Sequence, residues 1–368
     1  MFYISIVLRQ DTDLSYIKAI AHPNFALIKY WGKSDASNNL PDMSSISITI
    51  DTLFSTAKVS YDSTLKKDLW ILNDIEQESL GQIKPTMNYL KSFKPVKDFC
   101  VIESTNNFPT AAGLASSASG VASIVVAINE LFNLNLSEKE LINAAILGSG
   151  SAPRSLYSGF VYLNKKNYSC ETILDSNQWP LKIIICQTSS DRKLVSSRDG
   201  MRISKSTSSY YKDWVNDQDN DIKKALKAIK MKDFDLLGEV SEDNCKKMHK
   251  VMETSSPPLI YRNATSHLCI QKIEEMKANG IGIFYTIDAG PQVKIICKAQ
   301  HADQVISEMK SIPNIQDIIE VNIDKPKTNP NNIKPTIFEK ILTIFLGYFL
   351  IPLVIAIPFY FSIYNLTF

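Results

Sequence analysis

The sequence predicts an α+β fold in two domains. Three observations carry that prediction. Runs of apolar and hydroxyl residues give way repeatedly to helical stretches across residues 1–325. The chain has 368 residues, enough for two cores of ordinary domain size. A strand-type run from Phe99 to Glu103 leads through a small, hydroxyl-rich loop, 106–120, into an apolar helix. Strand, Gly/Ser loop and helix in that order aim backbone N–H groups and a helix N-terminus at an anion. The loop is neither a Walker A, since no Lys-Ser/Thr follows Gly120, nor a G-x-G-x-x-G. A turn that lets a helix pack closely on a sheet accounts for it equally well on composition.

Composition sets the bounds. Apolar residues make up 45% and charged residues 21%, as in ordinary globular proteins. The net charge is +2 and no Lys/Arg block interleaves with aromatics, which argues against a nucleic-acid surface. Cys100, Cys170, Cys186, Cys245, Cys269 and Cys297 form no C-x-x-C pair and read as reduced thiols in a cytosolic setting. The histidines form no H-E-x-x-H, so no protein-bound metal is expected. Met1–Leu8 is mildly apolar but runs into Arg9, Asp11 and Asp13, unlike a signal peptide. From Ile341 to Phe368 no side chain is charged, a stretch long enough to span a bilayer as one helix, kinked at Pro352 and Pro358. Lys325, Lys327, Lys334 and Lys340 precede it, so the expectation is an anchor with the folded domains on the cytosolic side. An amphipathic or dimer-burying helix is the competing reading.

The elements follow in order. Residues 19–33 read as a strand entering a turn, with Lys29 and Lys33 bracketing Tyr30-Trp31-Gly32. Two lysines around a glycine turn suit an anionic ligand, although solvated lysines beside core aromatics explain the same pattern. Residues 44–61 alternate Ser/Thr with Ile, Val and Leu, as half-buried strands do, and Asp68–Asn73 is another strand. Residues 76–93 are helical in composition, and a helix is expected from about Ser117 to Phe132. Ser137-Glu138-Lys139-Glu140 is a capping-box start for the next helix, which runs to Gly148. A second polar loop follows, where Ser149 and Ser151 offer hydroxyls and Arg154 a five-donor fork; a plain helix C-cap is the alternative. Phe160–Leu163 and Leu181–Gln187 are buried-type strands, and a domain boundary is expected at about 190. Residues 203–279 are mostly helical, up to Gly280 as a C-cap. Strands at Ile281–Ile287, Val293–Lys298 and Ile318–Ile323, with a helix at Ala302–Lys310, suit a ferredoxin-like second domain. Asp288, before Ala-Gly-Pro, is on its own a turn former.

Four motifs together resemble one family. They are Ala26–Lys33, Asn106–Gly120, Gly148–Ser155 and Tyr285–Pro291. In that order they resemble the diphosphomevalonate decarboxylases, a branch of the superfamily named after galactokinase, homoserine kinase, mevalonate kinase and phosphomevalonate kinase (GHMP). The resemblance covers about residues 20–324. It implies a GHMP kinase-like two-domain fold: a ribosomal protein S5 domain 2-like N-terminal domain (1–190) and a ferredoxin-like C-terminal domain (191–325). A linker and the hydrophobic helix would fill 326–368.

The resemblance also implies roles. Asp288, Lys29 and Arg154 would be catalytic. Asn24, Tyr30, Trp31, Gly32, Lys33, Ser149, Gly150, Ser151, Ala152, Pro153, Arg154, Ser197 and Arg198 would bind substrate. Asn106, Gly113, Leu114, Ala115, Ser116, Ser117 and Ser119 would bind ATP. The implied reaction turns ATP and diphosphomevalonate into isopentenyl diphosphate, ADP, phosphate and carbon dioxide, with magnesium held mainly by the phosphates. Asp288 would face the 3-hydroxyl, Lys29 would keep it ionised, and Arg154 would grip the departing carboxylate. A homodimer is expected by analogy. Two departures stand out. Leu69 occupies a position where relatives usually carry Arg, with Lys66 or Lys67 as candidate substitutes, and Pro153 fills a slot that is more often Cys or Ser. Leu69 motivates an alternative substrate, 5-phosphomevalonate; a mevalonate 3-kinase is a further alternative on the same fold.

Overall fold

Alternating hydroxyl and apolar residues at 44–61 supply strands to two different sheets. The structure is a computed structural model that describes residues 5–11, 14–95, 98–109, 113–191 and 193–323. Its strands in the first half are β1 (Ser5–Asp11), β2 (Leu14–Ala21), β3 (Asn24–Ile28), β4 (Lys33–Asp35), β5 (Leu40–Pro41), β6 (Ser45–Thr49), β7 (Ser55–Asp62), β8 (Leu69–Leu72), β9 (Ile75–Glu76) and β10 (Phe99–Asn106). Helices α1 (Lys84–Ser92), α2 (Ser116–Leu131) and α3 (Glu138–Gly148) are followed by β11 (Phe160–Leu163), β12 (Cys170–Leu174) and β13 (Leu181–Gln187). Next come α4 (Ser197–Thr207), α5 (Tyr211–Met231), α6 (Phe234–Glu253), α7 (Ala264–Ala278), β14 (Ile283–Ile287), β15 (Val293–Lys298), α8 (Ala302–Lys310) and β16 (Asp317–Asn322).

The first sheet runs β1-β2-β7-β10-β8-β9, with β10 and β8 its parallel pair. Helix α2 lies on it. Ala19, Ala21 and Ala57 leave room for Val121, Val125 and Ile128, and all are buried in one cluster. The second sheet is β12-β11-β6-β3 and the third β14-β15-β13-β16. Counted within itself, the third sheet has the order 2-3-1-4, as a split β-α-β arrangement gives. These two sheets share a core: Phe25, Leu27, Ile46 and Ile48 meet Ile183, Ile185, Phe284 and Ile296.

The structure shortens one predicted helix. Of residues 76–93 only Lys84–Ser92 is α-helical, entered through a single 3-10 turn at Gly81–Ile83 with Pro85 in the first helical turn. Gly81 at φ 45° and Pro85 set that start, and Glu76 pairs with β8 instead. Ser137 forms the expected capping box with Glu140. All six cysteines are buried and unbridged. Among the described residues no helix is long and apolar enough to cross a membrane. The expected hydrophobic helix at 341–368 lies outside the described residues.

One close approach fixes the turn between β3 and β4. Gly32 has φ 123°, and a Cβ there would sit 1.8 Å from the Tyr211 hydroxyl oxygen on α5. Gly32→Ala is therefore expected to lower the unfolding free energy by about 2–4 kcal/mol. Urea denaturation reads this directly, and a variant within about 0.5 kcal/mol of the parent would refute the close packing.

Candidate active site

Two fully buried strands deliver a charge pair to one point. Strand β3 is buried along its length, and Lys29 follows it with only 1% of its side chain exposed. Strand β14 is likewise buried, and Asp288 follows it in a tight turn closed by Gly290 N–H donating to the Asp288 carbonyl at 2.8 Å. Lys29 Nζ donates to Asp288 Oδ1 at 2.6 Å. A second lysine, Lys294 of β15, donates to Asp288 Oδ2 at 3.2 Å. Burial opposes ionisation of Asp288, but Lys29 and Lys294 outweigh it and hold the carboxyl well below the usual carboxylate range.

The backbone of Lys29 is clamped from below. Its N–H donates to Asn244 Oδ1 at 2.7 Å, and Gln218 Nε2 donates to its carbonyl at 2.7 Å. Asn244 Nδ2 in turn donates to Gln218 Oε1 and Asp221 Oδ2 at 2.9 and 2.7 Å. Lys247 closes the set on Asp221 at 3.1 Å. This network of α5 and α6 satisfies the buried polar groups mutually, which is what makes such a cluster stable and rigid.

Arg154 lies in the 3-10 turn Ala152–Leu156 and is 2% exposed. Its Nε donates to Asn24 Oδ1 at 3.1 Å, and its guanidinium also bonds Ser45. Asn24 Nδ2 donates to Ser155 Oγ at 2.8 Å and to the Ser151 carbonyl at 3.2 Å. Among the described residues no carboxylate lies within 4.0 Å of Arg154, and burial pulls its pKa down to about 10. Beside it the Tyr30 hydroxyl is buried without a hydrogen-bond partner among the described atoms. A buried cation and an unsatisfied hydroxyl side by side are what an anionic ligand would complete. Gly150 permits this, because a Cβ there would meet the Tyr30 hydroxyl at 2.5 Å.

These groups open onto one cleft of about 520 Å³. Of the residues picked out from sequence, Asn24, Lys29, Tyr30, Trp31, Lys33, Asn106, Gly113, Ala115, Ser116, Ser117, Ser149, Gly150, Ser151, Arg154, Ser197, Arg198 and Asp288 line it. Gly113 and Ala115 have φ 85° and 57°, which turns the chain into the N-terminus of α2 at the cleft wall. Five do not line it. Gly32 packs on Tyr211, Leu114 and Ala152 are core, and Pro153 is buried in the turn. Ser119 is fully buried with its hydroxyl 2.6 Å from that of Ser55, which in turn donates to Asn106 Oδ1 at 2.5 Å. Lys66 and Lys67, the candidates to stand in for an Arg at position 69, are exposed and are not among the described residues that line the cleft.

Other residues of the site escaped the sequence reading. Lys193 lines the cleft, donating to Ser197 Oγ at 2.6 Å and to the Ala289 carbonyl at 3.2 Å. Lys294 was visible only as one charge inside an apolar strand. Nothing in the helical stretches marked Gln218 or Asn244. Ser196 caps α4 by accepting from Asp199 N–H at 3.1 Å, and its neighbours Ser197 and Arg198 line the cleft. Among the described residues no cluster of His, Cys, Asp or Glu is suited to hold a metal ion.

Burial lowers the pKa of Lys33 to about 8, helped by Arg198, and burial likewise lowers Lys193 to about 8 against the pull of Asp288. A lowered lysine pKa means the charge is present below that pH and lost above it. Binding of an anionic ligand is thus expected to weaken as pH rises past about 8. Titration of KM between pH 7 and 10 checks this, and Lys33→Arg should move the alkaline rise to higher pH. A KM independent of pH over that range would contradict it.

The chain has clear relatives. The family model of the diphosphomevalonate decarboxylase-like N-terminal domain matches residues 21–173, and that of the mevalonate 5-diphosphate decarboxylase C-terminal domain matches residues 183–344. The second match extends past the point near 325 where the motif resemblance stops. The diphosphomevalonate decarboxylase of Debaryomyces hansenii is 34% identical over 316 residues, 78% of this chain and 81% of the relative. That of Danio rerio is 34% identical over 77% and 76%. A solved complex of the protein called MDDEF with MVAPP, AMPPCP and magnesium superposes with TM-score 0.79 at 35% identity, covering 85% of this chain and 98% of the other. The mevalonate diphosphate decarboxylase of Staphylococcus aureus gives TM-score 0.79 at 35% identity over 85% and 97%.

Proposed function

The chain belongs to the diphosphomevalonate decarboxylase family, and from that premise we infer that it decarboxylates diphosphomevalonate at the expense of ATP. The products are isopentenyl diphosphate, ADP, phosphate and carbon dioxide. One observation carries the reading: a buried arginine with no carboxylate partner among the described residues shares a cleft with a carboxylate held between two lysines.

The chemistry divides between those groups. A tertiary 3-hydroxyl is a poor leaving group, so it is first phosphorylated. Asp288 accepts the hydrogen bond of that hydroxyl, orients it, and takes its proton as the oxygen bonds to the γ-phosphoryl and the bond to ADP breaks. A carboxylate so strongly stabilised as the anion holds a proton weakly, which suits phosphoryl transfer, where positioning and electrostatics do most of the work. Lys29 steadies Asp288 and the transferring oxygens. The N-terminus of α2, with Gly113, Ser116 and Ser117, would receive the nucleotide phosphates, and magnesium, held mainly by those phosphates, would offset their charge. Departure of the 3-phosphate builds positive charge at carbon 3. The bond to the carboxylate then breaks, its electron pair forms the new double bond, and carbon dioxide leaves from beside Arg154. Lys33, Lys193 and Arg198 supply the cleft's remaining positive charge, which offsets the absence of an Arg at position 69.

Following ADP and carbon dioxide together tests the reading. Equal release of both from ATP and diphosphomevalonate is expected; ADP alone would make the protein a 3-kinase. Equal turnover of 5-phosphomevalonate would contradict the preference for a diphosphate. Asp288→Asn should lower kcat by about 10²–10⁴-fold with the fold intact. Normal turnover in that variant would remove Asp288 from the mechanism.

We also propose that residues 341–368 attach the enzyme to a membrane with its catalytic domains in the cytoplasm, and that it works as a homodimer. Support for attachment is the charge-free composition of that stretch and the lysines before it. Recovery of the intact chain in the soluble fraction without detergent would contradict it.

A further inference from the structure

Lys294 is an ammonium placed where a strand should carry an apolar side chain. It stands between Val293 and Ile295 in β15 and is 0% exposed. Burying such a charge costs several kcal/mol unless it is paired and hydrogen-bonded. Its Nζ donates to Asp288 Oδ2 at 3.2 Å and to the carbonyl of Gly113 at 2.8 Å, over the ring of Phe25 at 5.2 Å. One cation therefore touches the carboxylate that faces the hydroxyl and the loop that opens α2. The two segments are already in contact. A Cβ on Gly113 would lie 2.9 Å from Gly290 Cα, in the turn that carries Asp288. Lys29 does not duplicate the link: its described bonds run to Asp288, Asn244 and Gln218, none of them in the loop.

We propose that Lys294 is a positioning residue that locks the phosphate loop to Asp288, so that the nucleotide's phosphates and the acceptor for the 3-hydroxyl are held in register by a single ammonium. The proposal rests on the reading of the cleft given above. Losing the link lets the loop drift from Asp288. That weakens nucleotide binding and misplaces the γ-phosphoryl, while the substrate's contacts at Arg154, Tyr30 and Lys33 stay as they are.

Steady-state kinetics of Lys294→Met, Lys294→Gln and Lys294→Arg separate this from a merely structural role. The neutral variants are expected to raise KM for ATP about tenfold and to lower kcat about 10²-fold, with KM for diphosphomevalonate within about twofold of the parent. Lys294→Arg keeps the charge and the reach, so it should recover most of the affinity for ATP. Gln keeps a polar group in the pocket and is the variant to read if Met fails to fold. An unchanged KM for ATP in a folded neutral variant, or a parallel rise in both KM values, would overturn the proposal. Absence of turnover in the parent protein would instead defeat the functional reading itself.

Discussion

Everything near the cleft depends on the carboxylate of Asp288 lying between Lys29 and Lys294. Three charges sit together where two of the side chains are 1% and 0% exposed. Desolvation on that scale is repaid only by close, well-aligned pairs, and removing one partner strands the others. The fold supplies the alignment by bringing strands from two sheets to one point. The Thr286 hydroxyl donates to the Ala26 carbonyl at 2.9 Å, stitching β14 to β3 immediately before the two charged residues. Beneath them α6 presses Asn244 against the Lys29 backbone, and Cys245 against the Ile287 carbonyl at 3.4 Å. The shared core of the second and third sheets is thus also the mounting of the charge pair.

The cleft is charged in one sense. Lys29, Lys33, Arg154, Lys193 and Arg198 line it, with Asp288 the one carboxylate among its described lining residues. Such an arrangement is costly before a ligand arrives, and burial already draws the pKa of Lys33 and Lys193 down to about 8. A polyanionic substrate and nucleotide relieve that cost. The energy of assembling like charges is met in folding, so the donors need not reorganise when charge moves during the reaction.

Much of this was legible in the sequence, because several of the residues that carry chemistry sit in short contiguous motifs. Lys29, Arg154 and Asp288 were picked out by resemblance, yet nothing local says that residues 259 positions apart meet at 2.6 Å. That follows from sheet pairing, which sequence spacing does not encode. Ser119 was grouped with the loop serines because it adjoins them. One turn into α2, Ser119 is covered by β7 at Ser55 and fully buried, while Ser116, Ser117 and Gly120 line the cleft. Lys294 was hidden by a pattern that reads as an ordinary buried strand. The helix over 76–93 was overextended because its composition outweighed the punctuation of Gly81 and Pro85.

The most direct test of the central interaction is the titration of the Asp288 carboxyl. Protein labelled with ¹³C at the aspartate carboxyls, with the Asp288 resonance assigned by its loss in Asp288→Asn, reports the ionisation of this group alone. The resonance is expected to stay at its carboxylate position down to the lowest pH at which the protein remains folded, well below the ordinary aspartate value of about 4. A midpoint at or above about 4 would mean that the two lysines do not govern Asp288, and the charge-pair account of the site would fail.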